Sequence, residues 1–111
     1  MTDAHTVCPK FESAFQLLGK RWTGLIINVL LTGPKRFKQV AAEIPQMSDR
    51  VLAERLKELE EMDICLRQVY PETPVRIEYE LTEKGKALQE VMLEVQCWAD
   101  KWVEVPKLKK K

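Results

Sequence analysis

The sequence is poor in the side chains from which metal and catalytic sites are usually built. It contains a single histidine, His5, and three widely separated cysteines, Cys8, Cys65 and Cys97. A zinc site needs closely spaced Cys or His ligands, and a thiol enzyme such as a peroxidase needs a histidine or a resolving cysteine to support its nucleophile. Because neither pattern is present, we expect no metal, no cofactor and no enzymatic activity.

Long apolar runs are also missing. No stretch of 18 uninterrupted apolar residues is available to span a membrane, and residues 1–7 lack the basic-then-apolar layout of a secretory signal. Three sparse cysteines make a poor disulfide framework. We therefore expect a cytoplasmic, single-domain protein with free thiols and no membrane contact.

Charge is nearly balanced over the whole chain but uneven along it. The formal net charge is +1. Residues 20–57 nevertheless carry eight basic and three acidic side chains, whereas residues 58–104 carry five basic and twelve acidic ones. A basic middle segment is expected of a surface that contacts phosphates, although surface charges can also cluster by chance.

Apolar residues at helical spacing predict four helices in the first half of the chain. Pro9 suits the first position of the first helix, and Ser48 is a good N-cap for the fourth. The predicted helices, with their apolar stripes, are 9–18 (Phe11, Ala14, Phe15, Leu18), 22–31 (Trp22, Leu25, Ile26, Val29, Leu30), 37–44 (Phe37, Val40, Ala41, Ile44) and 48–62 (Val51, Leu52, Leu56, Leu59, Met62).

The pattern then changes from helical spacing to strict alternation. Residues 75–81 alternate apolar and polar side chains, which predicts a strand paired with residues 65–70 through a turn at 71–74. Thr82 caps a last helix of about 20 residues. The predicted fold is mainly α with a small β-hairpin wing: a winged helix-turn-helix domain over residues 1–105, followed by a basic, disordered tail at 106–111.

The third and fourth helices, joined by residues 45–47, form a helix-turn-helix, in which the start of the second helix faces base edges in the major groove of double-stranded DNA. Arg50 is the first candidate for a base contact, because arginine can hold guanine through two hydrogen bonds. The other candidates for this surface are Ser48, Asp49, Ala53, Glu54 and Lys57.

Further basic residues flank this surface. Lys35, Arg36 and Lys38 are expected to contact the DNA backbone, and Arg76 on the hairpin to reach a minor groove. Arg55 is open to a simpler interpretation, an ion pair with Glu58. An acidic protein partner is the alternative to DNA for the whole basic face.

A homodimer is expected from apolar residues that a small core cannot cover. They lie on the first and last helices: Phe11, Phe15, Val95, Trp98 and Trp102. Surplus apolar area of this kind commonly marks an interface, and a two-fold dimer presents two recognition helices to one duplex. The alternative is that these side chains fold back onto their own core.

Cys8 is a candidate redox sensor. It stands at the N-cap of the first helix, where partial positive charge favours the reactive thiolate. Cys65 and Cys97 lie next to apolar positions and are expected to be structural. An incidental role for Cys8 stays open on the residues alone.

Several stretches together resemble the HxlR-type winged-helix transcriptional regulators, and within them the YodB/CatR-like repressors that respond to quinones and diamide. The matching stretches are Cys8-Pro9, 18–22 (LGKRW), Gly33 with Arg36-Phe37, 52–60 (LAERLKELE), Pro74-Val75 and 79–85 (YELTEKG). The resemblance implies a homodimer built from the first and last helices, a recognition function for the fourth helix, and sensing of small electrophiles such as quinones through Cys8.

Two features depart from the family pattern. Asp63 stands where relatives usually have glycine, but aspartate tolerates the left-handed conformation better than most residues. The second departure is that no cysteine follows Val103, where some sensors carry a partner thiol. S-alkylation, a mixed disulfide and pairing with Cys97 therefore all stay open.

Overall fold

The computed structural model describes residues 8–106, so that His5 and nearly all of the predicted tail lie outside the described residues. Within this range the chain forms six helices and one two-stranded antiparallel sheet. None of the helices described is both long and apolar enough to cross a bilayer. The elements are α1 (Pro9–Leu18), α2 (Thr23–Leu30), α3 (Phe37–Glu43), α4 (Asp49–Glu61), β1 (Cys65–Tyr70), β2 (Arg76–Leu81), α5 (Glu83–Lys86) and α6 (Gln89–Trp102).

The core is built around α2 and α4. Ile26 and Ile27 of α2 are fully buried and belong to one apolar cluster with Leu52, Leu56 and Leu59 of α4. Burying each such side chain stabilises the fold by roughly 1.5–3 kcal/mol. Since one side of α4 is fixed in the core, its opposite side is held towards solvent.

The predicted stripe of α2 is wrong at Leu25, which is 51% exposed. Trp22 has a left-handed backbone, with φ of 78°, so the helix begins one residue later than predicted. The buried residues of α2 are Thr23, Ile26, Ile27 and Leu30. At 100° per residue Leu25 lies about 150° from the middle of that set, on the solvent side.

The turn between α3 and α4 is anchored by apolar contacts and by a cap. Ile44 and Met47 are both buried, and the Ser48 hydroxyl accepts a hydrogen bond of 3.1 Å from the Val51 amide. The predicted N-cap is therefore confirmed. At the other end of α4 the predicted stripe is wrong at Met62, which is 41% exposed and follows Glu61, the last residue of the helix.

The hairpin forms the wing, with a register that runs from Cys65 opposite Leu81 to Tyr70 opposite Arg76. Its loop spans residues 71–75, one residue more than predicted. A feature that the sequence did not reveal joins the wing to the segment before α3. The Lys35 amide donates to the Tyr79 carbonyl at 2.9 Å, and the Tyr79 amide donates to the Lys35 carbonyl at 2.7 Å.

The single long last helix predicted from the sequence is wrong: the chain forms α5, a turn at Ala87 and Leu88, and then α6. The Thr82 hydroxyl does cap α5, accepting a hydrogen bond from the Gly85 amide. Gly85 packs so tightly against the backbone that an added Cβ would lie 2.2 Å from the Ile64 carbonyl oxygen. This contact holds α5 against the hairpin. After the turn, α6 packs against α2.

Candidate DNA-binding surface and thiol sites

The outer face of α4 is formed by Arg50, Ala53, Glu54 and Lys57, all of which are exposed. It lies opposite the buried leucines of the same helix, since these positions fall roughly 100–200° away from Leu52 at 100° per residue. Ser48 and Asp49 are exposed at the start of the helix and extend this face. The structure thus brings together the residues predicted to face DNA bases.

Arg50 is the most accessible cation of this face, with a side chain 86% exposed. Its Nε lies 3.8 Å from a carboxylate oxygen of Glu54, one helical turn later. Exposed pairs of this type contribute only about 0.3–0.5 kcal/mol. Arg50 can therefore leave Glu54 at little cost when a better acceptor, such as a guanine edge, is available.

The cations around α3 differ in how freely they can reach a phosphate. Lys38 is exposed on α3, and Arg36 is exposed at its N-cap, where the Arg36 amide donates to the Gln39 side chain at 2.8 Å. Lys35 is half-buried, and its ammonium donates to the Thr32 hydroxyl at 2.8 Å. Lys38 and Arg36 are the more available of the three.

Arg76 is held within the wing. Its guanidinium donates to Glu72 at 2.8 Å and to Glu78 at 2.7 Å. These hydrogen bonds raise the pKa of Arg76, and the bond from Arg76 is the main cause that lowers the pKa of Glu72. The sequence indicated one of these two partners, Glu78, because residues 76 and 78 of a strand share one side of the sheet. The Glu72 contact depends on the shape of the loop.

Arg55 lies on the inner flank of α4, with a side chain only 15% exposed. The predicted pair with Glu58 is confirmed, with 3.5 Å between Nη1 and the carboxylate. No sequence pattern indicated a further contact, in which Arg55 Nε donates to the Arg21 carbonyl at 3.0 Å.

The three thiols are free and differ in environment. Burial raises the pKa of Cys65 to about 12, with a smaller effect of the same sign from Glu60. The expectation of a structural Cys65 fits this burial, whereas Cys97, also expected to be structural, is exposed on α6. Cys8 is exposed at the N-cap of α1. Residues 8–106 contain no group of three His, Cys, Asp or Glu side chains arranged to hold a metal.

Helices α1 and α6 expose an unusual amount of apolar surface, and neither has a fully buried residue. Phe11 and Phe15 pack edge to face, with ring centroids 4.9 Å apart, yet both remain exposed. Trp98 is 61% and Trp102 is 63% exposed. We call these residues, together with Val95, the α1–α6 apolar face. Its side chains do not fold back onto the core.

This arrangement of a helix-turn-helix, a two-stranded wing and flanking helices matches a known family. A family model described as HxlR-like helix-turn-helix covers residues 17–107. The chain belongs to the HxlR-like helix-turn-helix family. Its members are transcriptional regulators, so the chain is a winged-helix transcriptional regulator and not an enzyme.

Among similar family members is the HTH-type transcriptional regulator YodB of Bacillus subtilis (strain 168). It is 63% identical over 100 residues, which cover 90% of this chain and 89% of YodB. The reduced form of YodB from B. subtilis superposes with a TM-score of 0.81 at 61% identity, covering 92% of this chain and 100% of that structure. The quinone-bound form gives a TM-score of 0.76 at 58% identity, covering 86% of this chain and 100% of that structure.

Proposed function

We propose that this HxlR-family regulator is a homodimeric repressor that binds operator DNA and releases it when Cys8 is modified by a quinone or a related electrophile or oxidant. The observation that carries the proposal is the joint exposure of a cationic α4, an apolar face on α1 and α6, and a thiol at the start of α1. The similarity to YodB, which has a quinone-bound form, supports the choice of effector.

The DNA contacts divide into two classes. Arg50 contacts a base edge, with Ser48, Asp49, Ala53, Glu54 and Lys57 completing the surface in the major groove. Lys38 and Arg36, with a smaller part for Lys35, contact phosphates and fix the orientation of the domain. This division is supported by the exposure of each side chain and by its place on α3 or α4.

The dimer forms through the α1–α6 apolar face. A second copy of the chain is the fitting partner because none of these side chains belongs to α3, α4 or the hairpin, so that covering them leaves the proposed DNA contacts free. Association would remove four large aromatic side chains from water, and aromatic residues dominate the energetics of such interfaces. Two copies of α4 would then meet two half-sites of a palindromic operator.

The chemical step is addition of a thiol to a quinone ring. The Cys8 sulfur forms a bond to a ring carbon, and the thiol proton and the displaced ring hydrogen end on the two carbonyl oxygens. The product is a hydroquinone attached through sulfur, and no further oxidant is needed. When the reagent is a two-electron oxidant, it takes up two electrons and two thiol protons, and Cys8 forms a disulfide with Cys97 or a mixed disulfide with a small thiol. Because Cys8 directly precedes α1, a bulky adduct there would alter the packing of the α1–α6 apolar face and the separation of the two recognition helices.

The test is selection of genomic fragments on the purified protein, with and without benzoquinone. The wild-type protein should retain a defined set of fragments and lose them after treatment. Cys8→Ser should retain the same set and resist release, whereas Cys97→Ser, which changes the other exposed cysteine, should respond like the wild type. Release of Cys8→Ser at the wild-type dose excludes sensing by Cys8. A failure of the wild type to select any duplex excludes operator binding.

A further inference from the structure

One cation of the recognition helix faces the protein instead of solvent. The Arg55 side chain is 15% exposed, compared with 86% for Arg50 in the same helix. Arg55 follows Leu52 by three residues and precedes Leu56 by one, so it lies at the edge of the buried stripe of α4. This position directs it towards the segment that joins α1 to α2.

The contacts of Arg55 cross from α4 to that segment. Its Nε donates to the Arg21 carbonyl at 3.0 Å, and its Nη1 lies 3.5 Å from Glu58. Glu58 in turn accepts a hydrogen bond of 2.9 Å from Lys20. Residues 20 and 21 are therefore connected to α4 through one shared guanidinium and one shared carboxylate.

The backbone at this junction needs such support. Trp22 has a φ of 78°, in the left-handed region that residues other than glycine rarely adopt. The Arg21 carbonyl belongs to the peptide unit that immediately precedes Trp22, so the bond from Arg55 fixes the orientation of that unit. The guanidinium of Arg21 also covers the Trp22 ring, 4.5 Å from its centroid.

We propose that Arg55 is a positioning residue for DNA recognition: it sets the angle of α4 on the α1–α2 junction, and with it the place at which Arg50 meets the bases. The proposal rests on the DNA contacts of the proposed function. Arginine suits this task because its planar, forked donors can bond a carbonyl and pair with a carboxylate at the same time, which a lysine ammonium does in a less fixed geometry.

Two substitutions at position 55 test the proposal. Arg55→Lys keeps the charge, and Arg55→Gln removes it. For both we expect the affinity for a duplex selected on the wild-type protein to fall about tenfold, while the affinity for a random duplex stays within about twofold. The salt dependence should keep its slope in both variants, because a positioning residue releases no counterions from DNA.

Two control variants accompany them. Lys38→Gln, which removes an exposed cation of α3 assigned to a phosphate, should lower the salt slope by about one. Glu61 is exposed, and no ion pair to it is found within residues 8–106. Glu61→Gln should therefore change neither the affinity for the selected duplex nor the salt slope. A slope lowered by about one in Arg55→Gln would make Arg55 a phosphate contact and overturn the proposal. Unchanged affinity for the selected duplex in both Arg55 variants would overturn it as well.

A measurement without DNA separates this inference from the proposed function. Amide hydrogen exchange over residues 53–58 should accelerate at least severalfold in Arg55→Lys and remain at the wild-type rate in Glu61→Gln. If position 55 does not tolerate substitution, Glu58→Gln, which weakens the same contacts, should give the same acceleration. Unchanged exchange in the folded variants rejects the positioning role even if the wild-type protein selects no duplex.

Discussion

The guanidinium of Arg76 lies over the ring of Tyr70, with 3.9 Å between its central carbon and the ring centroid. Glu72 and Glu78 hold the same guanidinium from two sides. Arg67 on β1 is exposed, and no ion pair to it is found among residues 8–106. The geometry therefore supports a structural role for Arg76 inside the wing and leaves Arg67 as the cation of the hairpin that can meet a phosphate.

Substitution of the two wing arginines should separate these roles. Arg67→Gln should lower the salt slope of duplex binding by about one, because one phosphate contact is lost. Arg76→Gln should leave the slope unchanged and instead increase hydrogen exchange in the hairpin amides. The opposite result, a lower salt slope in Arg76→Gln and an unchanged slope in Arg67→Gln, would make Arg76 the DNA contact.

The loss of a base contact and the loss of a phosphate contact are expected to have different effects on the affinity for selected and random duplexes. Arg50→Ala should weaken binding to the selected duplex by about 1–3 kcal/mol and relax the preference at one base position, because a bidentate contact is lost. Lys38→Gln should weaken selected and random duplexes alike. Competition binding with single-base variants of the duplex measures both effects, and a uniform loss in Arg50→Ala would remove Arg50 from the base contacts.

The oligomeric state should respond to charge on the α1–α6 apolar face. Trp98→Lys should give a monomer at concentrations where the proposed wild-type dimer forms, because a lysine would have to lose its hydration in the interface. Val69→Lys, at an exposed apolar position on the hairpin, is the matched control and should stay dimeric. Sedimentation equilibrium distinguishes the two, and a dimeric Trp98→Lys protein would direct the search to another surface.

Alkaline pH should destabilise the protein through Cys65. Burial raises the pKa of its thiol from 9.0 to about 12. The folded protein thus keeps a proton that the unfolded chain loses, so this contribution is complete below about pH 9 and disappears as the pH rises towards 12. Between pH 8 and 10.5 the wild type should lose about 2 kcal/mol more of its free energy of unfolding than Cys65→Ala. Urea titrations at the two pH values measure the difference, and parallel losses would contradict it.

The sequence was sufficient to predict the order of the elements up to the end of the hairpin and the outer face of α4. Apolar spacing and caps are local signals, and Leu52, Leu56 and Leu59 define one side of the helix whatever the rest of the chain does. Asp63 was predicted to accept a left-handed turn in place of glycine, and its φ of 65° confirms this. The recognition of the family depended on the same local stretches.

Features that depend on distant contacts were missed. The break before α6 comes just after the close approach of Gly85 to Ile64, a contact between two residues 21 positions apart in the chain. The Arg55 bond to Arg21 and the Arg76 bond to Glu72 depend on how a turn and a loop are folded. Amphipathic periodicity does not encode such side-chain contacts with a turn or a loop. It also placed Leu25 inside, because the left-handed Trp22 that sets the start of α2 has no periodic signal.

The two backbone hydrogen bonds between Lys35 and Tyr79 make the hairpin continuous with the strand-like segment that leads into α3. The wing consequently lacks an independent hinge at its base: tilting it would displace the entrance of α3 by the same rotation. In the proposed complex, a change in subunit geometry would therefore move the wing contacts and the major-groove contacts of one half-site together, and the half-site would be lost in a single step instead of contact by contact.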